Sequence, residues 1–239
     1  MKAVILAAGI GSRLRPLTDN VPKCMVEVNG IKIIEKQIKS LLNNGIKEIA
    51  VVTGYQHEIL NKYLNENFPF IEIIDNKEYL KTNNMYSMFL TKKFVNEESF
   101  IFMNADVFFE EMIIKELLED ERENLIVCDN ENYLEESMKI VLDKNEHNIL
   151  KISKQISKEE SYGTTIDVYK LSSSASEKFF SIINNFIIEK KELNLWTEVA
   201  VQELLKQEKF YSKDIAFKWV EIDNLEDLEQ AKKLFKGGI

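Results

Sequence analysis

Apolar residues cluster along this chain in short runs that alternate between two spacings. Lys2 to Ala7 (K-A-V-I-L-A) is too short and too apolar for an amphipathic helix, and it predicts a strand buried on both faces. Lys32 to Asn44 places Ile33, Ile34, Ile38, Leu41 and Leu42 at helical spacing, and Gly45 ends the run as a C-cap glycine does. The alternation continues with a strand over Glu48 to Thr53, a helix over Glu58 to Leu64 and a strand over Ile71 to Asp75. A helix from Asn84 to Thr91 then leads to a fourth buried strand, Phe100 to Asn104, ending at Ala105-Asp106. Strands alternating with helices predict an α/β fold: a doubly wound, mostly parallel, Rossmann-like sheet flanked by helices, with right-handed crossovers. Ligands of such sheets bind beyond the carboxyl ends of the strands, so Gly9, Asn83 and Asp106 are expected on one edge.

The second half is less regular and predicts a smaller, mixed β extension. Leu125 to Asp129 and Lys139 to Leu142 read as strands, Ile149 to Ile152 as a hairpin partner, and Tyr162 to Lys170 as an alternating strand. Ser174 to Glu189 and Trp196 to Lys206 read as helices, Ala216 to Ile222 as a strand, and Leu225 to Phe235 as a last helix capped by Asn224. Gly237-Gly238 reads as a fraying tail. With no repeat, low-complexity segment or linker, residues 1–236 are expected to form a single domain.

Composition narrows the function. The 239 residues are 45% hydrophobic and carry a formal charge of −9, which argues against a sequence-independent nucleic-acid binder. Cations are concentrated near the N-terminus against this acidic background, which suits a small anionic ligand. Two cysteines without paired spacing, Cys24 and Cys128, support neither a zinc site nor a disulfide and fit a reducing cytoplasm. Cys24 reads as a small packing residue. The N-terminal apolar run lacks a cleavage region, and no stretch approaches the ~20 apolar residues of a membrane span.

The chemistry begins where the first strand ends. Ala7, Ala8, Gly9 and Gly11 have almost no side chains, so a ligand can approach their backbone and N–H groups can point at an anion. Arg13, Arg15 and Lys23 add positive charge within reach of the same spot. This is not a P-loop, because Gly9 lacks the G-x-x-x-x-G-K-[ST] continuation. It is not a dinucleotide fingerprint, because Leu14 stands at the third glycine position. Small residues with clustered cations at a strand end suit a triphosphate.

From Leu6 to Lys23, L-A-A-G-I-G-S-R-L-R-P-L-T followed by Pro22-Lys23 resembles the signature of the nucleotidyltransferase superfamily. The resemblance implies a nucleotide-binding part over residues 1–125 and an acceptor-binding part over 126–236. In such enzymes a substrate phosphate attacks the α-phosphorus of an NTP and pyrophosphate leaves. It makes Arg13 the candidate for the β/γ-phosphates and Lys23 the candidate for the α-phosphate, with Arg15 undecided between ligand and surface. Leu6, Ala7, Ala8, Gly9, Gly11, Ser12 and Ala105 would line the nucleotide. Asn104-Ala105-Asp106 matches the family's metal-binding turn with Asn in place of its first acid, so Asp106 is the expected Mg²⁺ ligand. Trp219 to Leu228 resembles the family's closing segment, which makes Asp223 the second ligand, Glu221 its competitor, and Asp227 an exposed helix residue.

Thr82-Asn83-Asn84-Met85-Tyr86-Ser87 is similar to the base-reading loop of cytidylyltransferases that act on phosphocholine and related small phospho-alcohols. Paired amides present both donor and acceptor groups to a pyrimidine, although one of Asn83 and Asn84 is expected to cap the next helix. Acceptor contacts are expected from Trp196 and Glu198, with Tyr162, Tyr133 and Trp219 completing an aromatic cage and Lys154 on the acceptor phosphate. The expectation is therefore a Mg²⁺-dependent cytidylyltransferase acting on CTP and a small phosphorylated acceptor. Phosphocholine is the first choice, then phosphoethanolamine or 2-aminoethylphosphonate; a sugar-1-phosphate uridylyl- or thymidylyltransferase is the alternative. The sequence leaves the oligomeric state open.

Overall fold

A computed structural model describes residues 1–237 of the chain; Gly238 of the expected tail lies outside the described residues. The strands are β1 (Lys2–Ala7), β2 (Glu27–Val28), β3 (Ile31–Lys32), β4 (Ile49–Thr53), β5 (Glu72–Asp75), β6 (Phe100–Asn104) and β7 (Val107–Phe109). The second half adds β8 (Leu125–Asp129), β9 (Lys139–Leu142), β10 (Ile149–Ser153), β11 (Gly163–Leu171), β12 (Tyr211–Asp214) and β13 (Trp219–Glu221). The helices are α1 (Ile33–Asn43), α2 (His57–Asn67), α3 (Asn84–Leu90), α4 (Lys92–Val95), α5 (Met112–Glu119), α6 (Ser173–Asn184), α7 (Thr197–Leu204) and α8 (Leu225–Leu234).

The first-half strands run parallel: β1 lies between β4 and β6, and β5 pairs with β4. β11 joins β6 antiparallel and leads into β8, β9 and β10, so the expected mixed extension is part of the same sheet. Both faces of β1 are covered, which is why it reads as an unbroken apolar run. Ala3, Ile5 and Ala7 pack with α1, α2 and α5 through Ile38, Leu60 and Ile113, among others. Val4, Leu6 and Ala8 pack with α3, α6 and α7 through Met88, Phe179 and Val201.

Several elements escape the hydrophobic pattern. Val107–Phe109 follows Asp106 with no turn residue to separate it from β6, so it reads as the tail of that strand. It is instead its own strand, paired antiparallel with β13. β12 (Y-S-K-D) has no apolar alternation and forms because it adds parallel to β8. α5 (M-I-I-K-E-L-L-E) carries a helical period that the sequence reading passes over, and the two-residue hairpin β2–β3 is too short for any period to register. The expected strand over Ala216 to Ile222 contracts to β13, and the long helix over Ser174 to Glu189 finishes as a π turn over Asn185–Glu189.

A third apolar cluster positions the site. Leu14, Phe108, Val220, Ile222, Leu228 and Phe235 pack together beside the main sheet, with the Phe108 and Phe235 rings edge to face at 4.8 Å. This cluster clamps the β7–β13 ribbon, and the Ile222 N–H donates to the Asp106 carbonyl at 2.9 Å. Residues 106 and 223, more than a hundred positions apart, meet through that ribbon.

Candidate active site

Lys23 is the centre of the site. Pro22, extended at φ −61°, ψ 148°, opens the short 3₁₀ turn Lys23–Met25. The Lys23 ammonium donates to Asp106 Oδ2 at 2.9 Å and to Asp223 Oδ1 at 2.6 Å. Burial alone would depress its pKa, but the two carboxylates outweigh burial and hold it above the ordinary lysine range. The glycine loop wraps around the lysine stem. Gly11 has φ +66°, and a Cβ there would lie 2.8 Å from Lys23 Cβ, so only glycine allows this approach. Thr18 Oγ1 donates to the Gly11 carbonyl at 2.8 Å and ties the loop back on itself. Gly9, by contrast, faces open space. Cys24 is buried, and burial pushes its thiol up to about 12, which makes it a poor nucleophile and a packing residue.

Arg13 is half-exposed and pairs with Asp223 Oδ2 at 2.8 Å and Glu136 Oε2 at 3.2 Å. Among the described residues Arg15 pairs only with exposed Asp19, at 3.3 Å. Burial raises the pKa of Asp223, but Lys23 and then Arg13 reverse the effect and hold the carboxyl below its usual range.

Three carboxylates converge beneath Lys23. One oxygen each from Asp106, Glu221 and Asp223 lies within 4.8 Å of the others. Asp106 Oδ1 is buried and has no hydrogen-bond partner among the described residues. Hard oxygen donors around an unsatisfied buried carboxylate oxygen fit Mg²⁺. Glu221 accepts from Ser137 Oγ at 2.8 Å; burial, then the nearby Asp106, pushes it up to about 8. Asp227 is half-buried rather than exposed, because its carboxylate accepts the backbone N–H groups of Asp223 and Asn224. It closes a capping box with Asn224 and so fixes the backbone that carries Asp223.

A cavity of about 220 Å³ opens at the carboxyl ends of β1 and β6. Leu6, Ala8, Gly9, Thr82, Asn83 and Asn84 line it, together with Asn76, Tyr79, Asn104 and Asp106. Ala7 packs into the opposite face of the sheet, Ser12 opens the 3₁₀ turn Ser12–Leu14, and the Ala105 N–H donates to the Leu6 carbonyl at 3.1 Å. Asn83 caps α3, its Oδ1 accepting the Asn84 N–H. Asn84 Oδ1 accepts the Thr197 N–H at 2.8 Å, which fastens the start of α7 to the cavity wall.

The four aromatic residues of the expected cage have separate partners. Trp219 is buried and donates from Nε1 to Asp129 at 2.8 Å. The Tyr162 hydroxyl donates to Asp214 at 2.5 Å, and the Tyr133 ring carries the Lys139 ammonium at 4.9 Å. Trp196 is 45% exposed, and the Lys154 ammonium stands 4.8 Å from its ring centre. Glu198 is only 5% exposed, and burial pushes it up to about 7.

Sequence reasoning passes over Asp167. This residue sits in the middle of β11 at φ +55°, where the register against β8 breaks between Thr165 and Tyr169. Its carboxylate accepts from Asn104 Nδ2 at 2.9 Å, Tyr169 Oη at 3.1 Å and Thr165 Oγ1 at 3.3 Å. Burial, then the charge of Glu198, pushes it up to about 7. The signal was an acid inside the apolar strand T-I-D-V-Y, where an unsupported carboxylate is costly. The same contact accounts for Asn104: an amide donates to Asp167, whereas a carboxylate there would repel it.

The chain belongs to the nucleotidyl transferase family, whose pattern it matches over residues 2–235. Among curated relatives, it is 40% identical over 134 residues to a CTP:phosphoglutamine cytidylyltransferase of Campylobacter jejuni, covering 54% of this chain and 53% of that one. It is 40% identical over 110 residues to a choline-phosphate cytidylyltransferase of Streptococcus pneumoniae, covering 44% and 47%. The chain thus spans about half the length of the curated relatives it matches. In three dimensions it resembles a CTP:phosphocholine cytidylyltransferase from Streptococcus pneumoniae with a TM-score of 0.80 at 27% identity, over 98% of this chain and 99% of that one. No helix among the described residues is long and apolar enough to cross a membrane.

Proposed function

We propose that the chain is a Mg²⁺-dependent cytidylyltransferase that moves CMP from CTP onto a small phosphorylated amino alcohol or phosphonate, releasing pyrophosphate. The observation that carries this reading is Lys23, clamped by Asp106 and Asp223 directly beside the open glycine loop. The phosphocholine and phosphoglutamine cytidylyltransferases among its relatives support CTP as the donor. Residues 1–125 would hold the nucleotide and 126–236 the acceptor, within one domain acting in the cytoplasm.

An acceptor phosphate oxygen forms a bond to the α-phosphorus, and the bond from that phosphorus to the bridging oxygen breaks, its electron pair leaving with pyrophosphate. The attacking oxygen is already ionised, so no side chain need act as a strong base. Catalysis then rests on holding two polyanions in line and neutralising charge as it moves. Lys23 would meet the α-phosphate and Arg13 the β- and γ-phosphates, each exchanging a carboxylate partner for a phosphate oxygen. Backbone N–H groups around Gly9 and Gly11 accommodate the triphosphate without side-chain obstruction. Asp106 and Asp223, with Glu221 as a further oxygen donor, would hold Mg²⁺, which supplies charge neutralisation to the triphosphate when bound. The amide groups of Asn83 and Asn84 still have Nδ2 donors for the pyrimidine.

Pyrophosphate release measured for four NTPs against phosphocholine, phosphoethanolamine, 2-aminoethylphosphonate, phosphoglutamine and sugar-1-phosphates tests the reading. CTP with an amino-bearing acceptor is the expected pair. Faster turnover of a sugar-1-phosphate with UTP or dTTP would replace this reading with sugar activation.

A further inference from the structure

We infer that Gln37 is the positioning residue for Asp106, holding the backbone on both sides of that carboxylate where Lys23 and a divalent cation need it. This deepens the proposed reaction at the same site and rests on it, whichever NTP and acceptor are used.

Glutamine is the odd residue on α1. Ile33, Ile34, Ile38 and Leu41 form the buried stripe of that helix. Gln37 stands four residues after Ile33 and four before Leu41, in the middle of the stripe, and is 0% exposed. Leu or Met would fill this position with no polar group to desolvate, so packing does not account for an amide here. The amide is directed at the main chain of another element. Gln37 Nε2 donates to the Asn104 carbonyl at 2.9 Å and to the Val107 carbonyl at 2.9 Å. Its Oε1 is buried with no hydrogen-bond partner among the described residues. Turning the amide over would set that oxygen against two carbonyls, so only the donor orientation suits the turn.

Ala105-Asp106 lies between those two carbonyls, and the chain changes partners there. β11 pairs with β6 up to Met103, and β13 pairs with β7 from Val107. The turn thus carries the chain from the main sheet to the ribbon. Its other backbone bonds come from two directions: the Ala105 N–H donates to the Leu6 carbonyl at 3.1 Å, and the Asp106 carbonyl accepts the Ile222 N–H at 2.9 Å. Gln37 supplies the third support, from α1. The product of this clamp is a carboxylate with two different oxygens. Asp106 Oδ2 accepts from Lys23 at 2.9 Å, while Oδ1 stays buried and unpaired among the described residues. Such a division of roles needs placement within about 0.5 Å. Gln37 does not line the cavity at this site, so it acts through the turn and not on the nucleotide.

The test separates position from packing. Gln37→Met keeps length and apolar bulk but has no donor. Ile38→Val, beside it on the same stripe, loosens the same helix and removes no hydrogen bond. Mn²⁺ binding to the nucleotide-free proteins is followed by electron paramagnetic resonance, together with Tm and the Mg²⁺ concentration for half-maximal pyrophosphate release. Gln37→Met should bind Mn²⁺ at least about tenfold more weakly and need at least about tenfold more Mg²⁺, the scale of losing a group that orients a metal ligand. Ile38→Val should lower Tm and leave both metal constants within about twofold. Gln37→Asn, with the amide on a shorter stem, should fall between Gln37→Met and wild type. If Gln37→Met does not fold, the wild-type chain decides: the Gln37 side-chain amide protons, followed by NMR, should exchange slowly and shift when Mg²⁺ is added. Metal binding by Gln37→Met within about twofold of wild type, an equal weakening in Ile38→Val, or amide signals indifferent to Mg²⁺ overturns the inference and leaves nucleotidyl transfer standing. A wild-type protein that neither binds Mn²⁺ nor needs a divalent cation for turnover overturns the metal reading and this inference with it.

Discussion

Lys23 and a divalent cation compete for the same oxygens. The lysine holds Asp106 Oδ2 and Asp223 Oδ1, the two acids that would bind Mg²⁺. Replacing Lys23 by alanine should therefore have opposite effects on binding and chemistry. Mn²⁺ titrated into nucleotide-free Lys23→Ala, followed by electron paramagnetic resonance, should bind more tightly than to wild type. In the same variant kcat/KM should drop at least about a hundredfold, the scale of losing one transition-state charge partner. Wild-type turnover would remove Lys23 from the chemistry. Asp106→Asn and Asp223→Asn should each abolish metal-dependent turnover with thermal unfolding still cooperative, because both residues sit at strand ends and outside the apolar clusters. The loop carrying Lys23 was the most readable part of the chain, since its small residues and cations are contiguous. Asp167 was not, because its partners Asn104 and Tyr169 are supplied by a neighbouring strand and by a break in register, neither of which a linear pattern records.

The elements show the same division. β1, β4, β6 and α1 have strong hydrophobic periods and appear where the sequence puts them, within a residue or two at their ends. β7, β12 and β13 are set by pairing partners far along the chain, and it is the β7–β13 ribbon that delivers Asp106 to Asp223. The α8 cap anchors the far end of that ribbon: Asn224 Oδ1 accepts the N–H groups of Glu226 and Asp227 while Asp227 accepts those of Asp223 and Asn224. Asn224→Ala should cost about 1 kcal/mol of stability in urea denaturation. It should also raise the Mg²⁺ concentration needed for half-maximal turnover, since the backbone bearing Asp223 loses its fixed position. Glu229→Ala, on the exposed side of the same helix, should change neither quantity; an equal effect there would show that α8 acts only through bulk stability.

At the scale of the whole molecule, the acids of the site make the fold depend on pH in an unusual direction. Burial, followed by mutual repulsion, pushes Asp167 up to about 7 and Glu221 up to about 8, and burial likewise pushes Glu198 up to about 7. In the unfolded chain such groups release their protons near pH ~4. Between that value and about 8 the folded state therefore binds more protons than the unfolded state, and stability falls as pH rises. The loss levels off once the three acids are ionised in both states. Asp75, Asp120 and Asp223 are shifted the other way, so their contribution is complete above the unfolded value and lost only on acidification below it. The metal-free protein should accordingly show a Tm that declines from pH 5.5 to pH 8. Each kcal/mol lost lowers Tm by roughly 2–4 °C in a chain of this size. Mg²⁺ should restore more of the Tm at pH 8 than at pH 5.5, because cation binding requires ionised carboxylates and relieves their repulsion. Glu198→Gln should flatten the decline by removing one of the three raised acids. A Tm that stays level or rises across this range in metal-free buffer would mean that the three acids are already balanced by cations in the folded protein.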